Sequence, residues 1–253
     1  MTLLGTQIRE TWFHLRLLLR NSYFMQLALT TPLVFLLLRR LASAHTADPT
    51  AWMDACTVGM WSTTATAVGL IGFQRFEGTL EHLVMTPRPL STVLAPMVSA
   101  CSLLGFVGLP LVIALSYFLD LPIRIEHPMW WACGVLLLTI ACASCAFCLS
   151  GLFVITRHAL VYEPVLIAPA MLLTGVAIAY DRLPLFGKVA GFAFPVTGAV
   201  QLLHHGVGAA DNGSAIGWAV QSLLAAAAFV LSARVLLRFA ESKARQDATL
   251  ALS

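Results

Sequence analysis

A polar stretch at residues 73–90, FQRFEGTLEHLVMTPRPL, separates two long apolar runs and carries side chains suited to recognition. If Thr79 to Met85 is helical, three apolar side chains share one face and three ionisable ones lie elsewhere. The apolar set is Leu80, Leu83 and Val84, and the ionisable set is Glu77, Glu81 and His82. Gly78 permits a bend into this helix, and Pro87 ends it. Because a helix of about 10 Å is marginal alone in water, it needs a partner surface, either its own membrane body or a second protein.

The stretch also resembles a family signature. It reads R-F-E-G-T-L-E-H-L from Arg75 to Leu83, followed by Thr86-Pro87. This is similar to the E-x-G-T-L-E-x-L-x-x-T-P signature of ABC-2 type permeases, the membrane subunits of one class of ATP-binding cassette exporters. The resemblance implies that the stretch is a cytoplasmic coupling helix docking in a groove of the ATPase subunit. The implied docking residues are Glu77, Gly78, Thr79, Leu80, Glu81, Leu83, Val84, Thr86 and Pro87.

Two other groups of residues could bind a metal. Cys142, Cys145 and Cys148 form two overlapping C-x-x-C patterns within an apolar run. No His or carboxylate lies in that run, so a helix contact through small residues explains the pattern more simply. His204-His205 is interpreted as part of a solvated loop rather than as a metal site. The six cysteines lie mostly in apolar runs and predict no disulfide framework.

The sequence offers no catalytic pattern. It has no G-x-x-x-x-G-K-[ST] loop for ATP, since Gly187-Lys188 is followed by Val189. The ionisable residues within apolar runs, Asp54 and Glu163, are far apart in sequence, and Glu163 can pair with Arg157. We therefore expect a non-catalytic translocation subunit that binds no cofactor directly, with ATP and Mg²⁺ bound by a partner ATPase.

Composition places the chain in a membrane. Of its 253 residues, 59% are hydrophobic and 11% are charged, and the mean hydropathy is +0.85. A soluble domain carries about 25% charged residues. The expected class is an all-α, polytopic membrane protein with a single domain over residues 1–253. No cleaved signal is expected, because charged residues break up the N-terminus.

Thr6 to Arg20 predicts a helix lying along the membrane surface. Ile8, Trp12, Leu15 and Leu19 recur on one face. Arginines flank this face and can reach lipid phosphates, so the predicted interfacial anchor is Arg9, Trp12, Arg16 and Arg20. An ordinary polar segment leading into the first span is the alternative.

Six spans follow from the apolar runs, each long enough for a hydrocarbon core of about 30 Å. Their predicted bounds are Asn21 to Leu41, Met53 to Phe73, Ser91 to Leu119, Met129 to Ile155, Ala159 to Tyr180 and Ala215 to Phe239. Pro96 and Pro110 are expected to interrupt the third. The second is rich in Thr, Ser, Gly and Ala, which favours close helix packing, although hydroxyls lining a substrate path are an alternative.

Residues 181–213 are apolar but are broken by Pro and Gly too often for a clean span. Broken backbone at membrane depth must be buried in protein or line a wet cavity, so we expect a pair of short re-entrant helices on the outer side. Leu183-Pro184 and Phe194-Pro195 resemble the L-P and Pro-containing elements that ABC-2 permeases have before the last span.

The distribution of basic residues favours cytoplasmic termini. Ten basic residues then lie inside, namely Arg9, Arg16, Arg20, Arg75, Arg88, Arg157, Arg234, Arg238, Lys243 and Arg245, and five lie outside, namely Arg39, Arg40, Arg124, Arg182 and Lys188. Arg39-Arg40 is an exception to the rule, for which a contact with outer-leaflet lipid headgroups is the expectation.

The resemblance implies a plasma-membrane exporter subunit, with a nucleotide-binding ABC ATPase, a second identical or related permease and membrane lipids as partners, and no nucleic acid. The apolar spans weakly favour a hydrophobic or amphipathic cargo, such as an antibiotic, another drug, a peptide or a lipid-linked glycan. Antibiotic resistance through export of the antibiotic fits that cargo class. An integral-membrane enzyme and an immunity or structural protein acting without an ATPase are the alternatives.

Overall fold

The computed structural model describes residues 3–42, 48–76, 88–155, 168, 170–209 and 214–247. Every regular element within these ranges is helical, in agreement with the predicted all-α class. The α-helices are α1 (Leu3–Arg20), α2 (Ser22–Ala42), α3 (Ala51–Phe76), α4 (Leu90–Leu104), α5 (Leu109–Phe118), α6 (Pro128–Ile155), α7 (Leu185–Ala193), α8 (Pro195–Gly206) and α9 (Ala215–Asp247). Two 3₁₀ turns, Gly105–Gly108 and Tyr180–Arg182, precede α5 and α7.

Four segments of the described chain are long and apolar enough to cross a membrane. They are Ser22–Ala42, Leu90–Phe118, Pro128–Val154 and Ala215–Ser242, where the first, third, fourth and sixth spans were expected. The pair α7 and α8, bent by 99° at its break, makes up to five. Residues 159–167 and 169 of the predicted fifth span, Glu163 among them, lie outside the described residues, as does Arg157 before it. The count of six spans therefore stays a prediction.

The predicted third span, which the structure places at Leu90–Phe118, is broken directly before one of the two predicted prolines. Pro96 lies inside α4 and Pro110 in the first turn of α5, while the 3₁₀ turn occupies Gly105–Gly108 between them. A Cβ at Gly105 would stand 2.5 Å from the Met60 Cα of α3. A Cβ at Gly108 would stand 2.6 Å from the Ala28 carbonyl oxygen of α2. The break thus lies where two neighbouring backbones approach too closely for a side chain.

Three apolar clusters hold the helices together. The largest joins α3, α6 and α8 through side chains such as Trp52, Leu137 and Val200. A second joins α4, α6 and α9 around Leu94, Phe147 and Leu237, and a third joins α1, α2 and α4 around Leu18, Ala28 and Leu104. Helix α6 belongs to the first two clusters and packs against α3, α4, α8 and α9, so it lies at the centre of the described bundle.

The hydroxyl-rich residues of α3 serve packing, as the small-residue interpretation predicted. Thr57, Thr64 and Thr66 are buried, and each hydroxyl donates to a carbonyl oxygen four residues earlier in the same helix, at 3.0, 2.6 and 2.9 Å. Cys142 and Cys145 are likewise buried in the largest cluster. All six cysteines are free thiols.

Candidate functional sites at the two ends of the helix bundle

One end of the bundle carries the ends of the predicted docking segment. Helix α3 ends at Phe76 and α4 begins at Leu90, so residues 77–87 must connect them. The predicted docking residues, from Glu77 to Pro87, all lie outside the described residues. Their role remains a prediction.

Helix α1 lies beside the start of α4. The Gln7 side-chain amide donates to the Thr92 carbonyl oxygen at 3.0 Å, and Arg88 Nη1 lies 3.0 Å from Glu10 Oε1. The Arg88 side chain is 63% exposed, so this ion pair contributes little stability by itself. The pair does place α1 next to Arg88, the residue that directly follows the predicted docking segment at 77–87.

The outward face of α1 is apolar and basic. Ile8 and Trp12 are exposed, and the Arg16 guanidinium lies over the Trp12 ring, 5.1 Å from its centroid. Arg9 and Arg20 are also exposed, whereas Leu15, expected on the anchoring face, packs against the chain's own third cluster. An aromatic ring under a cation is suited to a lipid headgroup region or to a protein partner.

At the opposite end, four ionisable side chains form a cluster that the sequence interpretation did not assemble. We call Arg39, Asp48, Asp54 and His204 the charge cluster. Arg39 comes from the last turn of α2, Asp48 from the loop before α3, Asp54 from the first turn of α3, and His204 from the last turn of α8.

Asp54 is the centre of this cluster. Its side chain is 1% exposed, and its two carboxylate oxygens meet different partners. His204 Nε2 lies 2.7 Å from Oδ1, while Arg39 Nη2 lies 3.2 Å and the Thr50 hydroxyl 3.0 Å from Oδ2. A buried carboxylate is costly unless it is paired and hydrogen-bonded, and here both oxygens are satisfied.

Arg39 links the cluster to a third region of the chain. Its Nε donates to Asp48 Oδ2 at 2.9 Å, and its Nη1 donates to the Val176 carbonyl oxygen at 2.6 Å. Val176 follows Gly175, whose φ of +90° suits glycine and turns the chain so that this carbonyl faces the arginine. One planar guanidinium therefore holds the ends of α2 and α3 against the 174–178 turn.

Asp48 is held ionised by its surroundings. Burial alone would raise the pKa of Asp48, but the hydrogen bonds from the Thr50 backbone and hydroxyl together with the Arg39 charge lower this pKa below its usual value. The Thr50 amide donates to Asp48 Oδ1 at 3.0 Å. Arg39 therefore faces two carboxyl groups, those of Asp48 and Asp54.

A cavity of about 700 Å³ opens beside the charge cluster. Its lining includes Arg39, Asp48 and His204 of the charge cluster, together with Tyr180, Asp181 and Arg182. Gln201 also lines it, and its amide donates to the Thr174 carbonyl oxygen at 3.2 Å. This size is in the range of small-molecule sites.

Three interpretations of the sequence need correction here. Arg39 forms ion pairs within the protein instead of the expected contact with lipid headgroups. His204 and His205 are not in a solvated loop, because both belong to the last turn of α8. His204 binds Asp54, and His205 stacks on His127 with ring centroids 5.4 Å apart.

Asp54, interpreted as an isolated ionisable residue, instead contacts two other ionisable groups, Arg39 and His204. His204 and Asp54 are 150 positions apart in sequence, so no local pattern could pair them. The usable signal was the presence of a carboxylate within an apolar run, since such residues are expensive unless a partner is near.

The family model for ABC-2 type transporters matches residues 8–206, which is more than half of the chain. The chain belongs to the ABC-2 type transporter family. A search of curated proteins found no match. The ABC-2 match covers α1 from Ile8 onward, the whole charge cluster and the predicted docking segment. Membership identifies a membrane component of a transporter, as the signature predicted.

Proposed function

We propose that this chain is the membrane subunit of an ABC exporter, in which a separate ATPase docks on residues 77–87 and hydrolyses ATP. The observation that carries this proposal is the match to the ABC-2 family, which extends across the E-G-T-L-E-x-L signature. The all-helical body with four to five candidate spans is the kind of structure such a subunit needs.

In this proposal, Leu80, Leu83 and Val84 fill an apolar groove of the ATPase, while Glu77 and Glu81 meet basic residues around it. The contacts of α1 support a wider surface, because Glu10 and Arg88 hold α1 beside the same end of the bundle. Trp12 and the arginines of α1 would then lie at the border between ATPase and lipid.

Movement of residues 77–87 would reach the charge cluster through α3. This helix runs unbroken from Ala51 to Phe76, so about 33 Å of helix joins Phe76 to Asp54. Helix α3 packs on α2, α4 and α6, and a displacement at one end is therefore transmitted to the buried carboxylate at the other.

We further propose that two permease copies, identical or related, form the transport path, and that the cargo is hydrophobic or amphipathic. Large apolar side chains are exposed along α9, among them Leu224, Leu231 and Val235. A bilayer and a second permease are the surroundings that would cover them.

Co-purification tests the docking proposal. The chain is co-expressed in membranes with a candidate ABC ATPase, and the amount of ATPase retained by a tagged permease is measured. Glu81→Lys should lose most of the retained ATPase, because it reverses a charge in the proposed contact. Glu241→Lys is the matched control, since it makes the same charge change in the last turns of α9.

Normal retention by correctly inserted Glu81→Lys protein would contradict the assignment of the docking face. Equal loss in Glu81→Lys and Glu241→Lys would also contradict it, because the effect would then follow net charge rather than position.

A further inference from the structure

The charge cluster has an unbalanced charge that a proton can correct. Arg39 contributes one positive charge, and Asp48 and Asp54 contribute one negative charge each, which leaves a net charge of −1 when His204 is neutral. Protonated His204 brings the cluster to neutrality and turns its 2.7 Å contact with Asp54 from a hydrogen bond to a carboxylate into a hydrogen-bonded ion pair. Histidine is the side chain whose charge ordinarily changes near neutral pH.

Among the described residues, the helices that pack against α8 add few charged groups near His204. Helix α6, which packs along α8, has no Asp, Glu, Lys, Arg or His between Pro128 and Ile155. The part of α9 before Arg234 has none either, and α7 contributes only Lys188. Tyr180, Asp181 and Arg182 line the same cavity as His204. The backbone amides of Glu126 and His127 donate to the Gly206 carbonyl oxygen, and the His127 ring stacks on His205.

The contact adds a polar link to a boundary that is otherwise apolar. Helix α8 packs mainly on α6 and α9 and meets α3 in the largest apolar cluster, whereas Arg39 and Asp54 belong to α2 and α3. Among the described residues, the His204 to Asp54 contact is the side-chain hydrogen bond between α8 and the end of α3. Behind it, Thr57 and Val58 line a small buried pocket together with Val176, whose carbonyl oxygen accepts from Arg39.

We propose that His204 and Asp54 form a proton-controlled latch between α8 and α3, closed when His204 is protonated and loosened when it is neutral. At low pH the cluster is neutral and α8 is held against Asp54. At higher pH neutral His204 no longer balances the net negative charge that Arg39 and the two aspartates leave in the cluster, so its hold on Asp54 weakens, which favours the entry of water and separation of α8 from α3. The cavity would then extend inward towards Thr57.

A buried reporter cysteine tests the latch. Thr57 is 3% exposed and lies one turn beyond Asp54 on α3, so Thr57→Cys places a thiol behind the contact. The partly exposed Cys56, Cys133 and Cys148 are replaced by Ala to remove background. The full chain in lipid vesicles is labelled with a membrane-impermeant thiol reagent at about pH 5.5 and about pH 8.5, on either side of the histidine range.

Each rate is divided by the rate of the same reporter in a His204→Gln background, which cancels the intrinsic pH dependence of the thiol. Glutamine keeps a hydrogen-bond donor but never carries the charge. The ratio should be well below one at the lower pH and should rise towards one at the higher pH, a change on the order of tenfold for one charge-assisted hydrogen bond.

His205→Gln is the matched control, because His205 neighbours His204 on α8 but stacks on His127 instead of binding Asp54. It should keep the native pH dependence. Asp54→Asn removes the buried charge, so it should abolish the dependence even if His204→Gln protein inserts poorly. An unchanged ratio at both pH values, or loss of the dependence in His205→Gln, would overturn the proposal. The labelling needs no ATPase, so its result is separate from that of the docking experiment.

Discussion

Replacing Arg39 by Met tests whether the charge cluster stabilises the fold. Methionine keeps an apolar stem of similar length but removes the donors to Asp48 and to the Val176 carbonyl oxygen. It also leaves the Asp54 carboxylate, 1% exposed, without its arginine. Removing one partner of a buried ion pair costs about 3–5 kcal/mol, because the remaining charge stays buried.

For a chain of this size, that loss corresponds to a decrease in Tm of roughly 6–20 °C. The assay is thermal unfolding of the purified full chain in detergent at neutral pH, followed by the loss of helical circular dichroism. Arg40→Met is the matched control, since Arg40 neighbours Arg39 on α2 and forms no ion pair with another described residue. Its loss should stay below about 1 kcal/mol.

Adding Asp54→Asn to Arg39→Met should recover most of the lost stability, because the buried charge is then removed together with its partner. If Arg39→Met and Arg40→Met unfold at the same temperature, the reasoning is refuted. Lack of recovery in the double variant would show that the arginine acts through its hydrogen bond to Val176 rather than through Asp54.

Three further predictions follow from the fold. Gly105→Val should lower the free energy of unfolding by about 1–3 kcal/mol, because its Cβ would collide with the Met60 backbone, whereas Gly187→Ala, with no neighbour nearer than 3.5 Å, should be close to neutral in the same thermal assay. Asp48→Asn should lower the free energy of unfolding, with the full effect at pH values above the ordinary aspartate pKa of 3.8. The difference from the native chain should disappear as the pH falls through the lower pKa of Asp48 in the folded state. Unfolding measured at a series of pH values tests this. Trp12 should be quenched by lipids brominated near the headgroup, measured as the fluorescence difference between native and Trp12→Phe protein; no quenching of that difference would contradict the interfacial anchor.

The sequence predicted the helices well where an apolar run has clear ends. The first span was expected at Asn21 to Leu41 and α2 covers Ser22–Ala42, because polar residues bound that run on both sides. The family was also predictable, since the signature around Glu81 is contiguous and depends on no tertiary contact.

The predictions that failed concern contacts between segments that are distant in sequence. Interruptions of the predicted third span were expected at Pro96 and Pro110. The break lies just before Pro110, where Gly105 approaches Met60, whereas Pro96 is accommodated inside α4. Arg39 meets the Val176 carbonyl oxygen 137 positions away. Neither propensity nor spacing contains that information.

ATPase stimulation tests the central claim most directly, namely that this permease is driven by a separate ATPase through residues 77–87. The chain is reconstituted in lipid with a candidate ABC ATPase, and ATP hydrolysis is compared for native, Glu81→Lys and Glu241→Lys proteins. The native and Glu241→Lys chains should stimulate ATP hydrolysis, and the Glu81→Lys chain should not. Stimulation by Glu81→Lys equal to that by the native chain would contradict the docking assignment, and no association of native permease with the ATPase would contradict the proposed function.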